Sequence, residues 1–124
     1  MATILVVDDE APIVDLLVDI VEERGHTALR ANNGAEALSI AHSARPDLII
    51  SDVMMPALDG YALLGALRTA PELAKISIIL MSAAFPQRGI PPAHPAADGY
   101  LRKPFDINSV EAILDRLATQ EYGH

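Results

Sequence analysis

Apolar and polar residues fall into blocks along this chain, and the blocks repeat with two different periods. Thr3–Val7 is a short apolar run rich in β-branched residues, the pattern of a strand. Residues 11–24 then place Val14, Leu17, Val18 and Val21 at helical spacing, and Gly25 ends that helix because glycine enters the left-handed conformation without steric cost. Thr27–Ala31 reads as a second strand, Asn32-Asn33-Gly34 as a turn, and residues 35–44 as an alanine- and leucine-rich helix closed by Pro46. The sequence repeats the unit with a strand over 47–51 and a helix opened by Asp59-Gly60, in which Leu63, Leu64 and Leu67 are apolar. Residues 76–81 form a fourth apolar run and Gly99–Arg102 a short fifth, after which Asp106 caps a helix facing Val110, Ile113, Leu114 and Leu117 inward.

Continuous apolar strands joined by helical crossovers predict an α/β fold, a doubly wound parallel sheet covered on both faces. Ligands of such sheets bind outside the carboxyl ends of the strands. Between the fourth and fifth strands the pattern breaks: Pro86, Pro91, Pro92 and Pro95 fall within one short segment. An interior proline costs a helix about 3 kcal/mol, so an irregular segment over 85–98 is expected, with the helix due there degraded or missing. The length suits a single domain over 1–124, with its core over about 3–118 and a polar tail at 119–124.

Composition narrows the classes of function. The absence of cysteine removes disulfides and thiolate chemistry and fits a reducing compartment, so a soluble, cytoplasmic protein is expected. The longest apolar run, over 76–85, is interrupted by Ser77 and Ser82 and is far shorter than the roughly 20 residues of a membrane span. A formal net charge of −8, without a cluster of Lys and Arg, argues against direct contact with nucleic acid.

Polar groups gather at the strand ends: Asp8 and Asp9 after the first, Asp52 after the third, Ser82 after the fourth, and Lys103-Pro104 after the fifth. Three carboxylates driven together in a cleft repel, which makes sense around a hard divalent cation, Mg²⁺ or alternatively Mn²⁺. Asp52 as nucleophile, with the metal, Lys103 and the Ser82 hydroxyl neutralising oxygens, would supply the parts of a phosphoryl transfer.

The runs Ile4-Leu5-Val6-Val7-Asp8-Asp9-Glu10, Pro46 to Pro56 with Asp59-Gly60, Met81-Ser82-Ala83, and Tyr100 to Phe105 resemble the receiver domains of two-component response regulators, in this order over essentially the whole chain. The resemblance implies a flavodoxin-like, chemotaxis-regulator-like sheet of strand order 2-1-3-4-5. It implies that Asp52 takes a phosphoryl group from a histidine kinase or phosphotransfer protein. Asp9, Asp52 and the Met54 backbone carbonyl would ligate Mg²⁺ directly, and Asp8 through a water. Ser82 and Tyr100 would act as switch residues, Lys103 would pair with phosphoryl oxygens, and the Lys103-Pro104 peptide would be cis. Such a domain signals by conformational change to a downstream protein, here unidentified, and is not an enzyme acting on external substrates.

Each residue also has a plainer reading. Adjacent acids after a strand often form only a solvated turn, Asp52 could cap a loop, and Tyr100 could be static packing. Ile13, Leu16 and Ile20 widen the apolar stripe of the first helix beyond one buried face. Either that helix is wedged between neighbours, or Ile13 and Leu16, with Pro104, meet the kinase. A phosphatase with an aspartyl nucleophile is a rival, but such enzymes usually carry a second acid two residues on, where this chain has Met54. The other rival is a protein-binding scaffold that no longer needs phosphate. Beyond Leu117 no output domain is expected, whether the chain is a stand-alone regulator or a portion of something longer.

Overall fold

In a computed structural model, which describes residues 2–55, 57–83 and 97–118, the apolar runs pair into one sheet. Its strands are β1 (Thr3–Val7), β2 (Thr27–Ala31), β3 (Leu48–Asp52), β4 (Ser77–Ser82) and β5 (Gly99–Arg102). Every pairing is parallel and the spatial order is β2-β1-β3-β4-β5, the flavodoxin-like arrangement. The described residues contain four helices, α1 (Ala11–Glu23), α2 (Gly34–Ala44), α3 (Gly60–Thr69) and α4 (Ile107–Ala118). The irregular segment expected over 85–98 falls almost wholly outside the described residues, as does the polar tail.

Strand residues alternate between two cores. Ile4, Val6, Leu48, Ile50 and Ile79 pack with Val14, Leu17 and Val21 of α1 and Val110 and Leu114 of α4. Leu5, Val7, Ile49, Ile78 and Leu80 point the other way, onto Ala37 and Ala41 of α2 and Leu63, Leu64 and Leu67 of α3. Burial on both faces is the reason these strands read as unbroken apolar runs.

Side chains set the helix starts. Asn33 accepts the Glu36 amide at 2.8 Å while the Glu36 carboxylate accepts the Asn32 amide at 3.1 Å, a reciprocal cap on α2. Asp59 caps α3 through the Ala62 amide, and Asp106 caps α4 through the Ser109 amide at 2.7 Å. Gly25 closes α1 at φ 85°, but α2 ends on left-handed Arg45, φ 49°, directly before Pro46.

Two strands, β3 and β4, lie one residue further along than the apolar pattern placed them. Asp47 lies outside β3, its carboxylate accepting the Thr3 amide at 2.9 Å, whereas Asp52 and Ser82 are the last ladder residues of β3 and β4. The ladder runs on through polar residues because backbone pairing, Asp52 with Met81 and Ser82 with Arg102, ends a strand. The wide stripe of α1 is mostly wedged between neighbours. Ile20 is buried and Ile13 packs against the core, because α1 meets both the sheet and α4; Leu16 alone of the three stays open, 41% exposed.

Candidate functional site

Parallel register levels the carboxyl ends of the strands. Val7 pairs with Ser51, so Asp8 comes level with Asp52 across the β1–β3 step, where the strand order reverses. Such a switch point opens a crevice above the sheet. On the other side Ser82 pairs with Arg102, and the Lys103 amide donates to the Ser82 carbonyl at 3.0 Å, bringing Lys103 over the same edge. The Lys103-Pro104 peptide is cis.

Lys103 is the hub of the site. Its Nζ donates to the Asp8 carboxylate at 2.7 Å and lies 3.4 Å from Asp52 Oδ1 and 3.6 Å from Glu10 Oε1. Asp8 is fully buried and Asp52 and Ser82 nearly so, while Asp9 and Glu10 are exposed. Burial works against the Lys103 ammonium, yet the hydrogen bond and charge of Asp8, joined by Asp52, hold it above the usual lysine range. Burial raises the Asp52 carboxyl above the usual carboxylate range; Asp8 and, more weakly, Asp9 push the same way, and Lys103 opposes them. A buried carboxylate in this position favours any further cation that reaches it.

Among the described residues Asp8, Asp9 and Glu10 gather, with one carboxylate oxygen of each within 4.8 Å of the others. Glu10 continues the acidic run of Asp8 and Asp9, but no local pattern assigns it a part in the site; its Asp8 and Lys103 contacts become visible only in the fold. An all-oxygen donor set with one buried and two open carboxylates fits a hard divalent cation that keeps waters. Asp52 adjoins this trio through their common Lys103. Met54 follows in the loop beyond β3 with its side chain 73% exposed.

Tyr100 on β5 is half-buried and packs on the α2/α3 side of the sheet, as does Tyr61 of α3. Of the proposed docking residues, Leu16 and Pro104 are exposed and Ile13 is half-buried. The histidines have other uses where described: His26 Nδ1 accepts the Ala2 amide, and His42 lies 3.6 Å from Glu72.

A parallel sheet of this order, with acids at its switch point and a lysine delivered by the last strand, defines a flavodoxin-like domain with an acidic site at its rim. Residues 4–115 match the response regulator receiver domain, and the chain belongs to that family. Among solved structures it is similar to the chemotaxis response regulator CheY4 of Vibrio cholerae, with TM-score 0.83 and 30% identity over 94% of this chain and 98% of that one. Among curated proteins it is 29% identical to protein PilH of Pseudomonas aeruginosa over 92% of this chain and 98% of PilH. It is 39% identical to the alkaline phosphatase synthesis transcriptional regulatory protein PhoP of Bacillus subtilis, over 91% of this chain but 48% of PhoP. Like PhoP, several other curated relatives it matches are about twice as long, so that the chain spans about half of each.

Proposed function

We propose that this domain accepts a phosphoryl group on Asp52 from the phosphohistidine of a histidine kinase or phosphotransfer protein, in a Mg²⁺-dependent reaction. The observation that carries this reading is the Lys103 ammonium shared between Asp8 and Asp52 beside the Asp8-Asp9-Glu10 trio. An Asp52 carboxylate oxygen attacks phosphorus in line, the bond to the donor nitrogen breaks, and the imidazole leaves. Bound Mg²⁺, or Mn²⁺, would neutralise phosphoryl oxygens and bring the charge of Asp52 and its incoming group to balance. Asp9, Asp52 and the Met54 carbonyl would hold it directly and Asp8 through water.

Lys103 supplies the second neutralising charge by exchanging its Asp52 contact for a phosphoryl oxygen. The Ser82 hydroxyl, at the end of the neighbouring strand, would follow, and Tyr100 on β5 would carry the change outward. Leu16, Ile13 and Pro104 would meet the donor. With Met54 where an aspartyl phosphatase has its second acid, the adduct should be lost slowly, so the domain assists its own phosphorylation and dephosphorylation without turning over external substrates. On this reading 1–124 is one receiver domain, cytoplasmic in setting, acting by contact with a downstream protein. Among the described residues no helix is long and apolar enough to cross a membrane. Several relatives are named transcriptional regulators; the charge of −8 makes direct DNA contact by this chain unfavourable.

Incubation with acetyl phosphate and Mg²⁺, followed by intact-mass spectrometry, tests this. One added phosphoryl group is expected, absent in Asp52→Asn and without metal. No adduct from either acetyl phosphate or a kinase, together with no metal binding, would leave the phosphate-independent scaffold as the better account.

A further inference from the structure

Two helix starts press on the loop between β3 and α3. A Cβ built on Gly60 would meet the Asp52 carbonyl oxygen at 2.5 Å and Val53 Cα at 2.9 Å. That approach is local to the connection, and the Gly60 amide makes use of it by donating to the Val53 carbonyl at 2.9 Å. The second approach comes from elsewhere in the chain. A Cβ on Gly34, the first residue of α2, would lie 2.0 Å from the Leu58 carbonyl oxygen and 2.8 Å from Leu58 Cβ.

Real side chains do not tolerate such distances, so the α2 backbone rests directly on the loop. The abutment is firm: Gly34 is buried, and the reciprocal bonds of Asn33 and Glu36 tie down the turn that carries it. On the loop side Leu58 packs against the α2/α3 core, and its neighbour Ala57 is held at φ 70°.

We propose that Gly34 is a positioning residue for the phosphoacceptor site, its contact with Leu58 fixing the stretch 57–59 before α3 and so the aim of the Met54 carbonyl at the metal. This rests on the reading of Asp52 and the Met54 carbonyl as metal-site groups. A backbone carbonyl has no rotamers; it is aimed only by the chain on either side of it. Mg²⁺ demands near-ideal octahedral geometry, so a displaced carbonyl weakens binding without altering a single carboxylate.

The test is a Mg²⁺ titration of the whole chain followed by amide chemical shifts, with thermal melting in parallel. Gly34→Ala is expected to raise the Mg²⁺ concentration at half-saturation about tenfold, the lower end of what loss of an outer support costs a metal site. The acetyl-phosphate adduct should still reach the wild-type plateau at saturating Mg²⁺. Ala37→Gly, one turn further along α2, supplies a control that lowers the melting temperature without pressing on Leu58, and its Mg²⁺ affinity should stay within about twofold of wild type. If Gly34→Ala does not fold, Asn33→Ala loosens the same abutment and should weaken Mg²⁺ binding, with Asn33→Ser restoring it through another capping oxygen. Unchanged affinity in Gly34→Ala, or in a folded Asn33→Ala, overturns the proposal. So does an equal loss in Ala37→Gly, which would mark the effect as general softening of α2. A wild-type protein that binds no Mg²⁺ overturns the metal-site reading itself, and this proposal with it.

Discussion

Ala57 sits at φ 70°, a conformation that costs an L-residue roughly 1–2 kcal/mol. Gly25 occupies the same region at φ 85°, with open space where a side chain would begin, so backbone strain alone decides a substitution there. Opposite outcomes follow from one cause: Gly25→Ala should destabilise by about 1 kcal/mol, and Ala57→Gly should stabilise by up to about 1 kcal/mol, both read from urea midpoints. Asp52 gives a pH-dependent prediction. Its folded-state carboxyl titrates above its unfolded value, so the stabilisation linked to it is complete below the ordinary aspartate range, near pH 4, and is lost as pH rises through the folded value. Asp52→Asn, incapable of ionising, should therefore melt higher than wild type in metal-free neutral buffer, with the gap closing on acidification. The placing of Asp8, Asp9, Asp52, Ser82 and Lys103 at the carboxyl ends of strands was legible in the sequence because each lies at or within two residues of the end of a strand-like run. The charge-sharing geometry of Lys103, and the part Glu10 takes in it, depend on contacts 51 to 95 residues apart in the chain, which no local pattern encodes.

At the scale of elements, α4 depends on its cap. Asp106 is held below its usual range by the Ser109 amide, so the stabilisation is present above the unfolded value near pH 4 and is lost as pH falls through the folded one. Asp106→Ala should lower the melting temperature at neutral pH, and the two proteins should converge in acid. On the edge of the sheet away from the site, Arg68 of α3 donates to the carbonyls of Ala74 and Ile76 and to Asp98 at 2.8 Å. Asp98 in turn accepts the Ile78 amide at 2.8 Å, so one partly buried ion pair ties α3, β4 and the entry to β5 together. Asp98→Ala should cost about 2–3 kcal/mol in urea unfolding with an unchanged slope, since it strands the Arg68 guanidinium and an amide at once. The order and kind of these elements could be read from periodicity alone. Their ends could not: backbone pairing carried β3 and β4 through Asp52 and Ser82, and only packing in the core separated buried Ile20 from open Leu16, which the stripe on α1 did not tell apart.

The molecule as a whole gathers its chemistry on one rim of the sheet and leaves Arg68, Asp98 and Asp47 to brace the other. Metal binding at the first rim should reach global stability by mass action. Mg²⁺ at about a hundred times its dissociation constant should add about 2.7 kcal/mol, reversed by chelation. Asp9→Asn should abolish that increment while changing metal-free stability by less than about 0.5 kcal/mol, because Asp9 is exposed and its side chain is not part of the core.

The edge position of β5 has a consequence for biosynthesis. A ribosome adds β1 and β3 well before residue 103, so the ammonium that pairs with buried Asp8 is the last part of the rim to be made. The strand that completes the sheet is also the one that leads to the counter-charge for its acids, so the rim cannot be balanced before the sheet is whole.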